Sequence, residues 1–395
     1  MNLRNIKKAG VSIALASTLL TFTLACDNGD KEPNVIEIGG DVLNNGGGEE
    51  DPGAVETPDT EEADDEDDLL DSKEGFYRSE LTNKWIDEKL ENQRPIAVMV
   101  DNELTALDHY GVNSADVVYE LMNSTANGRV TRLMCLVKDW ENLEQFGSIR
   151  STRTTNVMLS GEWNAILIHD GGPFYINDYL AMPYANNLSG GFARFSNGKA
   201  TEFTEYVTSE KYTNPNTGKS FDGLIDRIKK AGYDTEYNKY YEGKHWEFSK
   251  GDNKLADASD AKAVKQIDLP FPHNKSQLKY NADKKVYEYY EYGQAHIDPL
   301  DDNKTTSFTN VILECISFSQ LDPNGYLTYN VTDSTSHEGY YLTKGVAVPI
   351  TWSKKSPEGI THYYYKSSGD EIKLNTGKTY IAFVPADSWS ELEMK

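Results

Sequence analysis

The chain is poor in cysteine, with three in 395 residues. Cys26 lies near the amino terminus, and Cys135 and Cys315 each sit inside an apolar, strand-like run. With one thiol in each half and no paired spacing, buried free thiols are expected in place of a bridge between them. No Cys/His pairs stand at zinc-type spacing and no aspartates are spaced for a metal, so neither a metal nor another cofactor is expected. Basic residues are outnumbered, 39 Lys and Arg against 63 Asp and Glu, and a net charge of −24 argues against nucleic acid as a partner. Neither Ser148 nor Ser151 sits in a Gly-x-Ser-x-Gly elbow, which removes the usual hydrolase signature. Gly218-Lys219-Ser220 and Gly377-Lys378-Thr379 lack the earlier glycine of a phosphate loop and read as turns. Long apolar runs are absent too: residues 11–24 are too few to span a bilayer comfortably. No internal repeat is visible.

What is present begins with that short run. Arg4, Lys7 and Lys8 precede it without an acid, as in a signal peptide, and it ends Thr23-Leu24-Ala25-Cys26. Small residues before a cysteine resemble the lipobox of bacterial lipoproteins, with Thr23 where leucine is usual. The expectation is a signal peptide over 1–25, a lipidated Cys26, and a chain anchored to the extracytoplasmic face of the cell membrane. Two acyl chains on one residue make a stable anchor, where a single chain binds marginally. Residues 27–75 carry 19 acids against Lys31 and Lys73, a net of −17, which leaves the rest of the mature chain at −10. Such a segment buries too little apolar surface to offset its ordering entropy. Residues 26–75 therefore read as a disordered acidic tether reaching on the order of 40 Å.

Beyond it the pattern becomes globular. Residues 95–100, 115–122, 130–137 and 165–169 are short apolar runs of buried-strand type, and 152–161, 174–181 and 221–231 have helical spacing. In the last of these Leu224, Ile225 and Ile228 share a face. This predicts an α/β or α+β domain with a mixed sheet over 76–250. A polar linker follows over 251–265. Residues 266–386 alternate over 277–292, 309–317, 327–331, 340–343, 346–352, 362–365 and 378–384, predicting a smaller, mainly antiparallel β domain before a tail at 387–395.

Polar residues collect at the strand ends of the first domain: Asp101 and Asn102, Asp116 and Glu120, Arg132, then Arg150, Ser151 and Arg153, and finally His169, Gly171 and Gly172. A helix opening after Ser151 offers free N–H groups and a positive dipole end, with Ser151 or Thr152 as cap. Arginine forks fit phosphate or carboxylate. The glycine pair permits close backbone approach. Two readings stand, an anion site or an internal salt-bridge network of Arg132, Arg150, Asp116 and Glu120. His169 beside Asp170 likewise reads as a general base or as a hydrogen-bonded structural residue.

These same residues are familiar together. Residues 94–102, 115–120, Thr131-Arg132, 147–153 and 169–172, followed by 289–298, 350–354, 371–380 and Val384-Pro385, resemble the two domains of the YerB-like lipoproteins, domain of unknown function 3048. The resemblance spans roughly 80–240 and 265–386. Arg129 departs from a second glycine, and Asp170 and Pro173 flank the glycine pair where small residues are usual. The resemblance implies a lipoprotein with this domain pair and no established reaction. Two functions are compatible with it. One is a tethered binding or scaffold module holding an anionic envelope ligand or a partner protein on the Arg132, Arg150 and Arg153 face. The other is a phosphotransferase or hydrolase loosely similar to the LytR-CpsA-Psr enzymes, with Asp101, Asp116 or Glu120 beside the arginines and Mg²⁺ as its ion.

Overall fold

The apolar runs become strands of one large sheet. The computed structural model describes residues 70–255, 258–332 and 337–395; the expected signal peptide, Cys26 and nearly all of the expected tether lie outside the described residues. Eleven strands share the sheet. From the first half come β1 (Ile96–Asp101), β2 (Val117–Met122), β3 (Thr131–Val137), β4 (Ile166–His169) and β5 (Asn186–Ser189). From the second come β6 (Lys262–Ala263), β7 (Asn310–Ile316), β8 (His337–Thr343), β9 (Val346–Lys354), β10 (Thr361–Tyr365) and β11 (Thr379–Pro385). Their order is β6-β9-β8-β7-β11-β2-β3-β1-β4-β5, with β10 also on β9. On the first-half side the sheet is mixed, since β1 runs antiparallel to β3 and parallel to β4. On the second-half side β7, β8, β9 and β10 are antiparallel.

The join between the halves is the last strand. β11 pairs parallel with β7 on one side and with β2 on the other. The sheet therefore runs unbroken through the segments expected as separate domains, and the expected linker contributes β6. The expected tail is also integrated: Glu393–Met394 pairs with the strand Gln266–Asp268.

Sheet dominates, and the α/β description holds only loosely. Among the described residues the longer helices are α1 (Thr154–Glu162) and α2 (Leu224–Ala231). Every residue of α1 is buried, so it is a core helix with no solvent face. In α2, Leu224 and Ile228 are buried but Ile225 is exposed, so the expected apolar face is narrower by one residue. Residues 174–181 give a 3-10 turn, Phe174–Ile176, and one helical turn, Asn177–Leu180. No helix among the described residues is long and apolar enough to cross a membrane. Cys135 and Cys315 are both free, the first buried and the second half-buried.

Alternation along the strands builds a core on each face. Val98, Val100, Val118, Leu133, Cys135 and Tyr380 point to one face, where they pack with Leu278, Tyr287 and Tyr289 of a second, six-stranded sheet. Met99, Tyr119, Met134 and Phe383 point to the other, toward Val157, Met158 and Leu159 of α1. Both faces being covered explains why β1, β2, β3 and β11 are continuous apolar runs rather than alternating ones.

Ile381 sits at the join, fully buried, with Ile312 on one side and Tyr119 on the other. Ile381→Ala is expected to lower stability by about 2–5 kcal/mol and to shift one cooperative urea transition of the folded part. Two separate transitions, only one of them moved, would contradict the shared sheet.

Candidate functional site

Strand register sets the arginine cluster. Asp101 ends β1 opposite Arg132 near the start of β3. The loop from Gly147 is laid along the end of β1 by Asp101 N–H to the Ser148 carbonyl (3.0 Å) and Arg150 N–H to the Met99 carbonyl (2.9 Å). It is tied in turn to the loop after β4, because Asp170 N–H donates to the Arg150 carbonyl and Thr152 N–H to the Gly171 carbonyl. Asp101, Arg132, Arg150, Ser151 and Arg153 thus come together at the ends of β1, β3 and β4, with Gly171 and Gly172 alongside.

Their pairing is uneven. Arg150 Nε lies 2.7 Å from Asp101 Oδ2, and its Nη1 lies 3.0 Å from Glu202 Oε2. Arg132 donates to the Ser151 carbonyl at 2.6 Å. Arg153 donates to the carbonyls of Asn123 and Thr152 and lies 5.0 Å from the Tyr326 ring centre. Burial, with Arg153 adjacent, pushes the Arg132 guanidinium down to about 9, and burial brings Arg153 to about 10. Both stay cationic at neutral pH. Burial raises the Asp101 carboxyl while Arg132 and Arg150 oppose it. A cavity of about 10 Å³ between Arg132, Arg153 and Asn123 has room for a single water.

The expected cap differs. Neither Ser151 nor Thr152 caps α1; Asn156 inside the helix accepts from Arg153 N–H at 3.1 Å instead. Gly172 admits close approach, but of the protein itself: a Cβ there would meet Ile176 at 2.4 Å. His169 is buried at the end of β4, its Nδ1 2.8 Å from the Gly171 carbonyl and its Nε2 3.2 Å from Asn187 Oδ1. Since a carbonyl only accepts, Nδ1 carries the proton, and His169 pins the turn that follows it. Burial lowers its pKa.

The other acids expected at this site lie elsewhere. Asp116 precedes β2 at the opposite end from Arg132, accepts from Lys138 N–H at 2.7 Å, and is pushed up to about 6 by burial. Glu120 points to the opposite sheet face. There it accepts from Thr131 (2.7 Å), Ser276 (2.6 Å), Tyr289 (3.0 Å) and Tyr380. Asn102 belongs to that face too, donating to Thr131 Oγ1 at 3.0 Å. The expected four-residue salt-bridge network is therefore not formed; Arg150 pairs with Asp101 and Glu202.

Several residues here carried no signal in the sequence reading. Glu202 and Tyr326 close the arginine cluster from distant loops. On the Glu120 face, His109, Glu291 and His296 are buried with one ligand-type atom each, all within 4.8 Å of one another. Arg129, at the position departing from glycine, keeps the left-handed backbone (φ 61°) and forms a forked pair with Asp387 at 2.9 and 2.6 Å. Asp170, the second departure, lies 3.5 Å from Arg194, which also pairs with buried Glu205 at 2.7 Å.

Comparison with known proteins agrees with this architecture. Residues 81–233 match the N-terminal domain, and 267–381 the C-terminal domain, of a protein of unknown function, DUF3048. The putative lipoprotein YerB of Bacillus subtilis (strain 168) is 24% identical over 314 residues, 79% of this chain and 85% of that protein. The crystal structure of YerB from Bacillus subtilis superposes with a TM-score of 0.63 at 18% identity, covering 81% of this chain and 99% of that one.

Glu205 offers a pH test of this region. Burial and a hydrogen bond with Asp170 push its carboxyl up to about 7 from an ordinary 4.5. The folded state thus holds this proton more tightly than the unfolded chain, so stability is lost as pH rises from about 4.5 to about 7. Glu205→Gln, melted beside the parent across that range, is expected to gain relative stability with rising pH. A pH-independent difference would mean Glu205 stays ionised in the fold.

Proposed function

The chain belongs to the family of unknown function DUF3048, of which it carries both domains, and on that premise we propose that it is a lipid-anchored extracytoplasmic module that binds an anion of the cell envelope. The ligand is a phosphate- or carboxylate-bearing envelope component, or an envelope protein presenting such a group. The anchor is supported by Thr23-Leu24-Ala25-Cys26 and by the lipoprotein name of its relative.

One observation carries the binding reading. Arg132 and Arg150 act on a single buried carboxylate, Asp101, a third guanidinium, Arg153, adjoins Arg132, and both Arg132 and Arg153 hydrogen-bond only neutral carbonyls among the described residues. Positive charge is left over on this face. Glu202, 53% exposed, supplies a loosely held carboxylate to Arg150, whose side chain is 25% exposed. An exposed pair of this kind contributes little stability, so an incoming anion displaces Glu202 at small cost. The cavity between Arg132 and Arg153 is too small for such a ligand, which would meet Arg150, the more exposed member of the cluster.

A phosphotransferase asks for more. It needs a carboxylate free to hold Mg²⁺ or accept a proton. Asp116 and Glu120 are engaged away from the arginines, and Asp101 faces two cations, Arg132 and Arg150, that would repel a metal ion. Binding is therefore the better supported reading.

Thermal melts of the full chain in detergent, with phosphate- and carboxylate-bearing envelope fragments, test it. A ligand at 100-fold its dissociation constant is expected to stabilise the fold by about 2.7 kcal/mol. Glu202→Gln should tighten binding, and the double variant Arg150→Ala, Arg153→Ala should abolish the shift. A shift appearing only with Mg²⁺, followed by turnover, would favour the transferase. No shift for the parent or for Glu202→Gln would remove the anion site.

A further inference from the structure

The Glu120 face holds a second cluster at the meeting of the two halves. Asp298 accepts from the N–H groups of Gly111 (2.9 Å) and Asn113 (2.8 Å), clamping the loop before β2 onto the segment after the strand Val286–Glu291. Gly111 suits this place because its φ is +77° and a Cβ would meet the Gln145 carbonyl at 2.4 Å. The clamp brings His109 against His296, with Nδ1 and Nε2 2.7 Å apart. Glu291, inward-facing by the alternation of its strand, sets Oε1 3.9 Å from the same Nε2. All three side chains are buried.

The surrounding hydrogen bonds fix the tautomer of His296. Asn113 gives its amide N–H₂ to Asp301 (2.9 Å), so its oxygen accepts from the Thr306 hydroxyl (2.8 Å). With its proton spent, Thr306 Oγ1 accepts from His296 Nδ1–H, also at 2.8 Å. His296 Nε2 is left as a bare lone pair. Without an ion, His109 must then donate through Nδ1, which leaves its Nε2 no proton for the Asp101 carbonyl beside it, and Glu291 Oε1 is buried outside good hydrogen-bond geometry. Native interiors rarely leave such atoms unsatisfied.

We propose that His109, Glu291 and His296 form a buried site for a first-row divalent metal ion of the zinc class, fastening the loop before β2 to the second half of the chain. Two imidazoles and one carboxylate suit zinc and its neighbours better than Mg²⁺ or Ca²⁺. A metal takes the lone pairs of His109 Nδ1, His296 Nε2 and Glu291 Oε1, and the His109 proton moves to Nε2. Around tetrahedral zinc, donor atoms lie roughly 3.3 Å apart. The His–His contact opens and the Glu291–His296 contact closes by about 0.6 Å each, and the third pair, within 4.8 Å, closes by up to about 1.5 Å. Outer hydrogen bonds already orient two ligands: Thr306 holds His296, and Asn274 holds Glu291 Oε2 at 3.4 Å. Three protein donors leave the fourth position of a tetrahedral ion to a water, and burial of all three side chains closes the ion to larger substrates, which gives it a structural role. Sequence spacing hid it because His109 and His296 lie 187 residues apart.

The full chain, purified in detergent and stripped with a chelator, is titrated with Zn²⁺ and with Co²⁺, and metal content and Co²⁺ visible spectra are read. One equivalent per chain is expected, with X-ray absorption reporting two imidazole nitrogens and a raised melting temperature. Glu291→Gln should lose the equivalent, and Thr306→Val should weaken affinity by about 10- to 100-fold. Failure to bind one equivalent overturns the proposal, as does full retention in Glu291→Gln. If Glu291→Gln does not fold, the parent's absorption spectrum decides. Coordination by oxygen alone, as the acidic residues 27–75 would give, also overturns the site.

Discussion

The parallel pairing of β11 between β7 and β2 is the constraint on which the rest of this structure depends. It brings a strand from the end of the chain between strands from each half, so neither half closes its sheet alone. All seven residues of β11 are buried, so the join is also the centre of the core. The same pairing fixes which residues of β2 face the second sheet, and thereby aims Glu120 at Ser276 and Tyr289. The polar cluster around Glu120 is a consequence of this one register.

Local structure was legible in the sequence to a useful degree. Apolar runs at 95–100, 115–122, 130–137 and 165–169 became strands within two residues at each end, because a run covered on both faces needs no alternation to declare itself. Alternation over 277–292 gave the hairpin of Gln277–Asn281 and Val286–Glu291. The identity of partners was not legible. A continuous apolar run says that both faces are covered and is silent about what covers them. That is why the sequence is silent about one sheet crossing from the first segment into the second.

The candidate site was legible only in part, for a related reason. Asp101, Asn102, Asp116, Glu120 and Arg132 all stand near strand ends, and sequence proximity invites treating them as one cluster. In a strand, direction alternates with every residue. Asp101 therefore joins the arginines while Asn102, its neighbour, joins Glu120 across the sheet. Asp116 is removed by strand direction, since β2 carries it to the far end. Arg150 and Arg153 needed no register, because they follow one another in a loop that the end of β1 holds in place.

The two clusters share that strand end. Asp101 gives its side chain to Arg150 on one face, and the Asn102 carbonyl accepts from Asn274 (2.6 Å) and Tyr292 (2.7 Å) on the other. Asn274 is also the residue that holds Glu291, a ligand in the proposed metal site. A packed sheet transmits small displacements instead of absorbing them. Under the proposed function, an anion that drew Arg150 outward would act on the end of β1, which reaches Glu291 through Asn102 and Asn274. The end of β1 is thus the one element that the proposed anion face and the proposed metal site have in common.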